Sequence, residues 1–237
     1  MKNSLILLFI SVLLFSSTHA QKRSAALNGT NILASVVKVF AEVRDFVATI
    51  DAEINMERVQ VPKMHATMYF KRPDKIHFTS QGFLLIPRDG LTLNPAVLSE
   101  RYDASFIAED TLEGRRLYKL QLAAKDKKTK LRQMYAWIDP AHWTVSRIET
   151  IPYEGRTLSI VFTYEFLQDK CWLPSKLVVT FGTTSEGEKI TDDSTNHQMG
   201  QFSQMHRSMP RNGSITIRYS DYKINVGLDD SIFEDNE

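Results

Sequence analysis

Cysteine is nearly absent: the 237 residues contain one, Cys171. No internal disulfide can form, so stability has to come from a buried core. Cys171 stands before Trp172 at the start of an apolar strand pattern, a setting in which a thiol acts as a small buried hydrophobe rather than a reactive group. No cysteine follows the N-terminal apolar run either, which excludes lipoprotein-type cleavage and an acylated N-terminus. Charge of one sign is also missing. The 29 basic and 28 acidic residues leave a formal charge of +1, and loss of Lys2 takes it to about zero. Such a chain has no long-range field to gather nucleic acid or anionic lipid, and no nucleic-acid partner is expected. The basic cluster Lys125-Asp126-Lys127-Lys128-Thr129-Lys130 lies between two strand patterns and contains an acid, so it reads as a solvated hairpin tip.

Catalytic signatures are equally scarce. There is no GxSxG elbow and no glycine-rich phosphate loop, and His65, His77, His142, His197 and His206 form no HExxH-like pair. Asp192 with Asp193, and Glu186 with Glu188, sit in a polar stretch and read as solvated turns rather than an acid/base pair. His197, Met199, Met205, His206 and Met209 are soft donors of the kind that bind copper(I). Their spacing follows no regular motif, however, and a flexible polar loop accounts for them. No catalysis, cofactor or metal is expected. Asn28-Gly29-Thr30 and Asn212-Gly213-Ser214 match the glycosylation pattern, but Asn-Gly is also a common turn.

Long hydrophobic runs are missing except at the start. Lys2 supplies a short positive region, Leu5 to Phe15 an apolar core, and Thr18-His19-Ala20 a small-residue cleavage site before Gln21. At about 1.5 Å per residue that core spans roughly 16 Å, short of the ~30 Å of a bilayer's interior. Residues 1–20 are therefore expected to be a cleaved signal peptide, and residues 21–237 a single exported domain large enough to bury its core.

What is present is one helix followed by strands. Leu33, Val36, Val37, Phe40, Val43 and Val47 or Ala48 recur at helical spacing, with Lys38, Glu42 and Asp45 opposite and Thr30 or Asn31 as N-cap. From Ile50 the period changes to two, as Ile50, Ala52, Ile54 and Met56 alternate with polar residues. Met64, Ala66, Met68 and Phe70 then share one face of a strand that turns at Lys71-Arg72-Pro73 and returns through Ile76 and Phe78. The apolar run Phe83-Leu84-Leu85-Ile86-Pro87, a turn at Arg88-Asp89-Gly90 and a candidate short helix near Pro95 to Arg101 follow. Strand patterns resume at Ser105 to Ala108, Leu117 to Leu122, Leu131 to Ile138 and Trp143 to Thr150. Further strands are read at Leu158 to Phe166, Leu173 to Phe181 and Ser214 to Tyr222. Thr183 to Gly213 is polar and reads as a long mobile loop that could gate a barrel mouth.

Roughly nine to eleven strands with one convincing helix and no β–α alternation predict an antiparallel meander that must curl, close or split. The expected class is mainly β (α+β): a half-open antiparallel β-barrel, or strongly curled sheet, with an N-terminal amphipathic helix and lid elements. Its interior is either packed by strand aromatics or left as an apolar cavity. Trp137, Trp143 and Trp172 could line such a site or belong to the core.

The hairpin YFKRPDKIHF resembles the "KRP" hairpin of the LolA/LolB-like periplasmic carriers of outer-membrane lipoprotein sorting. The resemblance continues through GRRLYKLQL (Gly114 to Leu122), MYAWIDPAHWTVSRIE (Met134 to Glu149), WLPSKLVV (Trp172 to Val179) and SDYKINVGLDDSIF (Ser220 to Phe233). It implies a soluble monomeric periplasmic carrier whose apolar cavity receives the acyl chains of a lipoprotein or another lipid. An inner-membrane donor complex and an outer-membrane acceptor would be its partners. Met64, Met68, Phe70, Ile76, Phe78, Leu158, Ile160, Phe162, Phe166, Val36 and Phe40 would line the cavity. Arg72 would hydrogen-bond the lid and be displaced by lipid, or else be a solvent-facing turn residue. The alternative is a lipid- or protein-sensing regulatory domain of the same fold acting with a membrane partner. The stretch Gly82 to Pro95 and the polar loop after Phe181 depart from the family pattern.

Overall fold

A computed structural model describes residues 27–56, 59–60, 62–79, 94–126, 131–152, 157–182 and 213–234. The expected signal peptide, the apolar run Phe83 to Pro87 and the Arg88-Asp89-Gly90 turn lie outside these residues. So do residues 183–212 with their histidines and methionines, whereas Gly213 opens a strand.

Helix α1 (Gly29–Phe40) leads into β1 (Asp45–Met56), then come β2 (Val59–Gln60), β3 (Met64–Lys71) and β4 (Lys75–Phe78). The short helix α2 (Pro95–Arg101) precedes β5 (Tyr102–Leu112), β6 (Arg115–Ala124), β7 (Leu131–Asp139), β8 (Thr144–Pro152), β9 (Thr157–Leu167) and β10 (Cys171–Gly182). Strand β11 (Gly213–Ile224) and a 3-10 turn (Asp230–Phe233) follow.

Every pairing is antiparallel, in the order β4-β3-β1-β11-β10-β9-β8-β7-β6-β5, with β2 attached to the end of β1. The path ends at β4 on one side and β5 on the other, so among the described residues strand pairing does not close it. Extra residues shift the register in β5, β7, β8, β10 and β11, and such bulges bend strands and increase twist. The result is a strongly curled, half-open sheet. Pro174 shows how sequence chemistry fits the topology. It pairs with Tyr164 of β9, but β10 meets β11 only from Lys176 onward, so its missing N–H breaks no rung on that side.

Alternation assigns one face of all ten strands to the interior. Phe46, Ala48, Ile50 and Ala52 of β1 oppose Phe70, Met68, Ala66 and Met64 of β3. The same face continues through Ile217, Leu177, Phe162, Ile148, Ala136 and Leu120. Against it lies α1, packed on β5, β8 and β10 and on α2. Gly29 makes this approach possible, because a Cβ there would stand 2.5 Å from the Ala104 carbonyl oxygen.

Two expectations about the start of the fold are corrected. The N-cap is Asn28, whose side chain accepts the Thr30 N–H at 2.9 Å, rather than Thr30 or Asn31. The helix also stops at Phe40. Val43, Val47 and Ala48 fit its spacing, but the last two lie in β1, where Ala48 opposes Met68 and has no solvent exposure. Tertiary pairing overrides local periodicity there. Asp45, assigned to the polar face of that helix, is instead buried at the start of β1.

Candidate functional site

The register unites most of the residues expected to line a cavity. Ile76 and Phe78 pair with Phe70 and Met68, and Leu158, Ile160 and Phe162 share the inner face of β9. Met68, Phe70, Ile160, Phe162 and Val36 are buried. Met64, Ile76, Phe78, Leu158 and Phe40 are partly buried against the same core. Phe166 stands apart: it is 46% exposed at the end of β9 and lies 5.3 Å from the Trp172 ring.

Among the described residues the inner face is closely packed against the helices. Between α1, α2 and the sheet remains a void of ≈ 30 Å³, lined among others by Val36, Phe40, Leu98, Trp143, Phe162 and Trp172, about the share of one water molecule in the liquid. Two of the three tryptophans thus face it. Trp137 does not. It points from the opposite face of β7, where Lys119 and Arg147 each lie 4.9 Å from its ring and Asp110 accepts its Nε1–H at 2.8 Å. That hydrogen bond, before the one from the Thr111 backbone, holds the Asp110 carboxyl below the usual carboxylate range. Three tyrosines, Tyr164, Tyr219 and Tyr222, put their hydroxyls into or beside the apolar interior, and burial pushes all three up in pKa. Tyr222 Oη donates to the Pro174 carbonyl at 2.7 Å.

What holds the helices differs between the two. Ile32, Leu33 and Val36 of α1 are buried. Among the described residues no hydrogen bond joins α1 to the sheet, so its attachment is apolar packing. Helix α2 is pinned by polar contacts. Asn94 caps it by accepting the Ala96 N–H at 3.0 Å, and its Nδ2 donates to the Pro73 carbonyl in the Lys71-Arg72-Pro73 turn. At the other end Lys125 donates its Nζ to the Ser99 carbonyl at 2.8 Å and its backbone N–H to the Arg101 carbonyl at 2.9 Å. The chain passes from edge strand β4 to edge strand β5 through α2, which therefore bridges the turn at one edge of the sheet and β6 near the other.

The hairpin turn is anchored twice more. Lys71 Nζ donates to the Leu228 carbonyl at 2.7 Å and pairs with Asp230 at 2.7 Å, and Lys75 pairs with Asp230 at 3.0 Å. Arg72 is exposed; its backbone N–H donates to the Arg44 carbonyl at 2.9 Å, and among the described residues its guanidinium has no partner. The contact between turn and α2 is thus made by the Pro73 carbonyl and Asn94.

Sequence reasoning missed Asn94, Arg44, Asp45 and Asn225. Only Asn94 had a local signal, since Asn followed by Pro is a helix-start signature. The others act through pairings nearly two hundred residues apart, such as Asn225 Oδ1 accepting the Arg44 N–H at 2.7 Å.

No family model and no curated protein matches the sequence. Solved structures do match. A DUF1329 family protein from Desulfovibrio piger is 16% identical with a TM-score of 0.60, the match covering 87% of this chain and 96% of that one. A domain assigned to an outer membrane lipoprotein-sorting protein of Vibrio parahaemolyticus gives 15%, 0.52, 86% and 96% in the same order. A LolA superfamily protein from Nitrosomonas europaea gives 10%, 0.55, 88% and 98%. The fold is LolA-like. Among the described residues no helix is long and apolar enough to cross a membrane, and no three His, Cys, Asp or Glu side chains are grouped to hold a metal.

Proposed function

We propose that this protein is an exported, periplasmic carrier that takes the acyl chains of a lipoprotein or another lipid between its sheet and α1, for transfer to the outer membrane. An inner-membrane donor and an outer-membrane acceptor would be its partners. One observation carries the reading: an apolar face continuous over ten strands is sealed by a short helix held through apolar packing, while a second helix latches the open side. The LolA-like fold supports it.

Magnitudes decide which lipid fits. Lifting α1 exposes Ile32, Leu33 and Val36, at about 1.5–3 kcal/mol each, or roughly 5–9 together. A chain of about fourteen methylenes regains roughly 11 kcal/mol at ~0.8 per methylene. One acyl chain therefore exceeds the displaced helix by roughly 2–6 kcal/mol, and a second adds its ~11 kcal/mol with no further helix to displace. A diacylated or triacylated cargo is the expected occupant, and release needs an acceptor that binds it better.

The test is native mass spectrometry of the mature protein recovered from cells, with lipid extraction, followed by uptake of a fluorescent diacyl lipid or an acylated peptide. A lipid-mass adduct or saturable uptake supports the carrier. A bare protein that takes up neither probe rejects it.

A further inference from the structure

At the turn end of the sheet lies an open cleft of ≈ 430 Å³ lined by Arg44, Asp45, Lys71, Arg72, Asn225, Val226 and Gly227. Its floor is fixed by backbone clamps. Asn225, in the left-handed region at φ 57°, accepts the Arg44 N–H through Oδ1 at 2.7 Å and donates Nδ2 to the Glu42 carbonyl at 2.9 Å. Its own N–H donates to the Asp45 carbonyl at 2.8 Å. The one carboxylate in the lining is already occupied: Asp45 is 5% exposed and accepts the Gly227 N–H at 3.1 and 3.2 Å. Lys71 is engaged by Leu228 and Asp230.

That leaves Arg44 and Arg72. They sit on facing positions just beyond the Asp45–Lys71 rung, joined by the 2.9 Å hydrogen bond from the Arg72 N–H to the Arg44 carbonyl. Among the described residues neither guanidinium has a partner. Like charges opposed across strands are destabilising, so this arrangement calls for an anion. We propose that the Arg44–Arg72 cleft is an anion subsite that takes a phosphate group, as borne by a phospholipid headgroup or by a free phosphomonoester. Each guanidinium presents five donors in a rigid fork, more than one carboxylate's two oxygens can accept from both. A phosphomonoester has three terminal oxygens and close to two negative charges, and a phosphodiester headgroup has two terminal oxygens directed apart, so each fork can take an oxygen of its own. Val226, 52% exposed in the same lining, gives the glycerol side of a headgroup an apolar surface. Recognition is local, in keeping with a chain that carries almost no net charge.

The lipid source rests on the carrier reading; the phosphate chemistry does not. Three probes separate them by isothermal titration against the mature protein below the lipids' critical micelle concentrations: glycerol 3-phosphate, palmitoyl lysophosphatidylglycerol, and monopalmitoylglycerol with the same chain and no phosphate. Wild type is expected to bind glycerol 3-phosphate and to prefer the phosphate-bearing lipid. The Arg44→Gln/Arg72→Gln variant should bind glycerol 3-phosphate roughly tenfold or more weakly, as expected for losing charge-assisted hydrogen bonds, and should lose the preference between the lipids. Both side chains are exposed, so the variant should unfold cooperatively at or slightly above the wild-type temperature, the repulsion between the two charges being gone, which certifies its fold. Arginine-dependent glycerol 3-phosphate binding with no lipid uptake would keep the subsite and remove the carrier reading. Monopalmitoylglycerol binding without any phosphate preference, or phosphate binding unchanged in the variant, would overturn the subsite.

Discussion

Asn94 is the residue on which the latch turns. It is 2% exposed, its Oδ1 accepts the Ala96 N–H at 3.0 Å, and its Nδ2 donates to the Pro73 carbonyl. Asn94→Ala removes the cap of α2, worth about 1 kcal/mol, and strips the Pro73 carbonyl of its donor, worth about 1–3 kcal/mol. If α2 opens as a unit, its closed state loses roughly 2–4 kcal/mol, and at about 1.4 kcal/mol per decade its open population rises by roughly 30- to 1,000-fold. Hydrogen exchange read by mass spectrometry should show amides of residues 96–101 exchanging faster by that factor, while β8, β9 and β10 stay protected. Uptake of a diacyl probe should speed up in parallel. Asn94→Ser separates the two roles, since a serine still caps but is too short to hold both partners, and should fall between wild type and alanine. Unchanged exchange in α2, or acceleration of every strand by one common factor, would refute the latch and leave Asn94 as an ordinary contributor to global stability.

Three further outcomes follow from particular contacts. Gly29→Ala places a Cβ 2.5 Å from the Ala104 carbonyl oxygen and 2.7 Å from the Ser105 carbonyl carbon; backbone cannot yield as a side chain can, so a loss of about 1–3 kcal/mol should lower the urea midpoint, and an unshifted midpoint would contradict the close seating of α1 on β5. Burial pushes the Cys171 thiol up, and the residue is 4% exposed, so a thiol reagent at pH 8 should label the protein only as it unfolds; rapid stoichiometric labelling of the folded protein would contradict its place in the core. Hydrogen bonds from Lys71 and then Lys75 hold the Asp230 carboxyl below the usual carboxylate range. Its folded pKa being depressed, this tie is complete above the unfolded value of ~3.9 and is lost as pH falls through the lower folded value. Carbon-detected NMR should place the Asp230 midpoint under that of an unfolded control, and a midpoint at or above it would contradict the anchoring of the C-terminal turn.

The inner face was legible in the sequence because it rests on period-two alternation, which strand pairing preserves. Met64, Ala66, Met68 and Phe70 could be placed on one side before any partner strand was known, and their register with Ala52, Ile50, Ala48 and Phe46 keeps them there. Helix α2 was legible from the stretch opened by Pro95, while its capping Asn94 was passed over although Asn before Pro is a local signal. Illegible were features made by segments distant in sequence. Asp45 fits the polar face of a continued helix, yet it is buried because Gly227 meets it from the far end of the chain. Arg44 carries no local signal, since its pairing with Arg72 depends on the β1–β3 register. Trp137 was ambiguous because an aromatic on a strand can face either way, and its outward setting is decided by the flanking cations Lys119 and Arg147.

The close packing of the described inner face and the carrier reading are compatible because apolar burial is non-directional. The inner face of the sheet meets Ile32, Leu33 and Val36 without any hydrogen bond that would single out a helix as the occupant. In the carrier reading α1 is the resident occupant, keeping the apolar sheet face out of water until cargo arrives. A wide empty cavity would fit that role less well, since a large void forfeits packing contacts and an apolar cavity gains little from water. In that reading polar specificity would come from the rim, where the Asn94–Pro73 contact and the Arg44–Arg72 cleft share one turn. Pro73, which receives the latch, adjoins Arg72, which would meet a headgroup. An anion drawn into the cleft therefore acts on the residue next to the latch, so headgroup recognition and opening of α2 can be coupled through a single peptide unit. Asn94→Ala and the arginine double variant test that coupling together: coupled sites give non-additive effects on lipid uptake, and independent ones add.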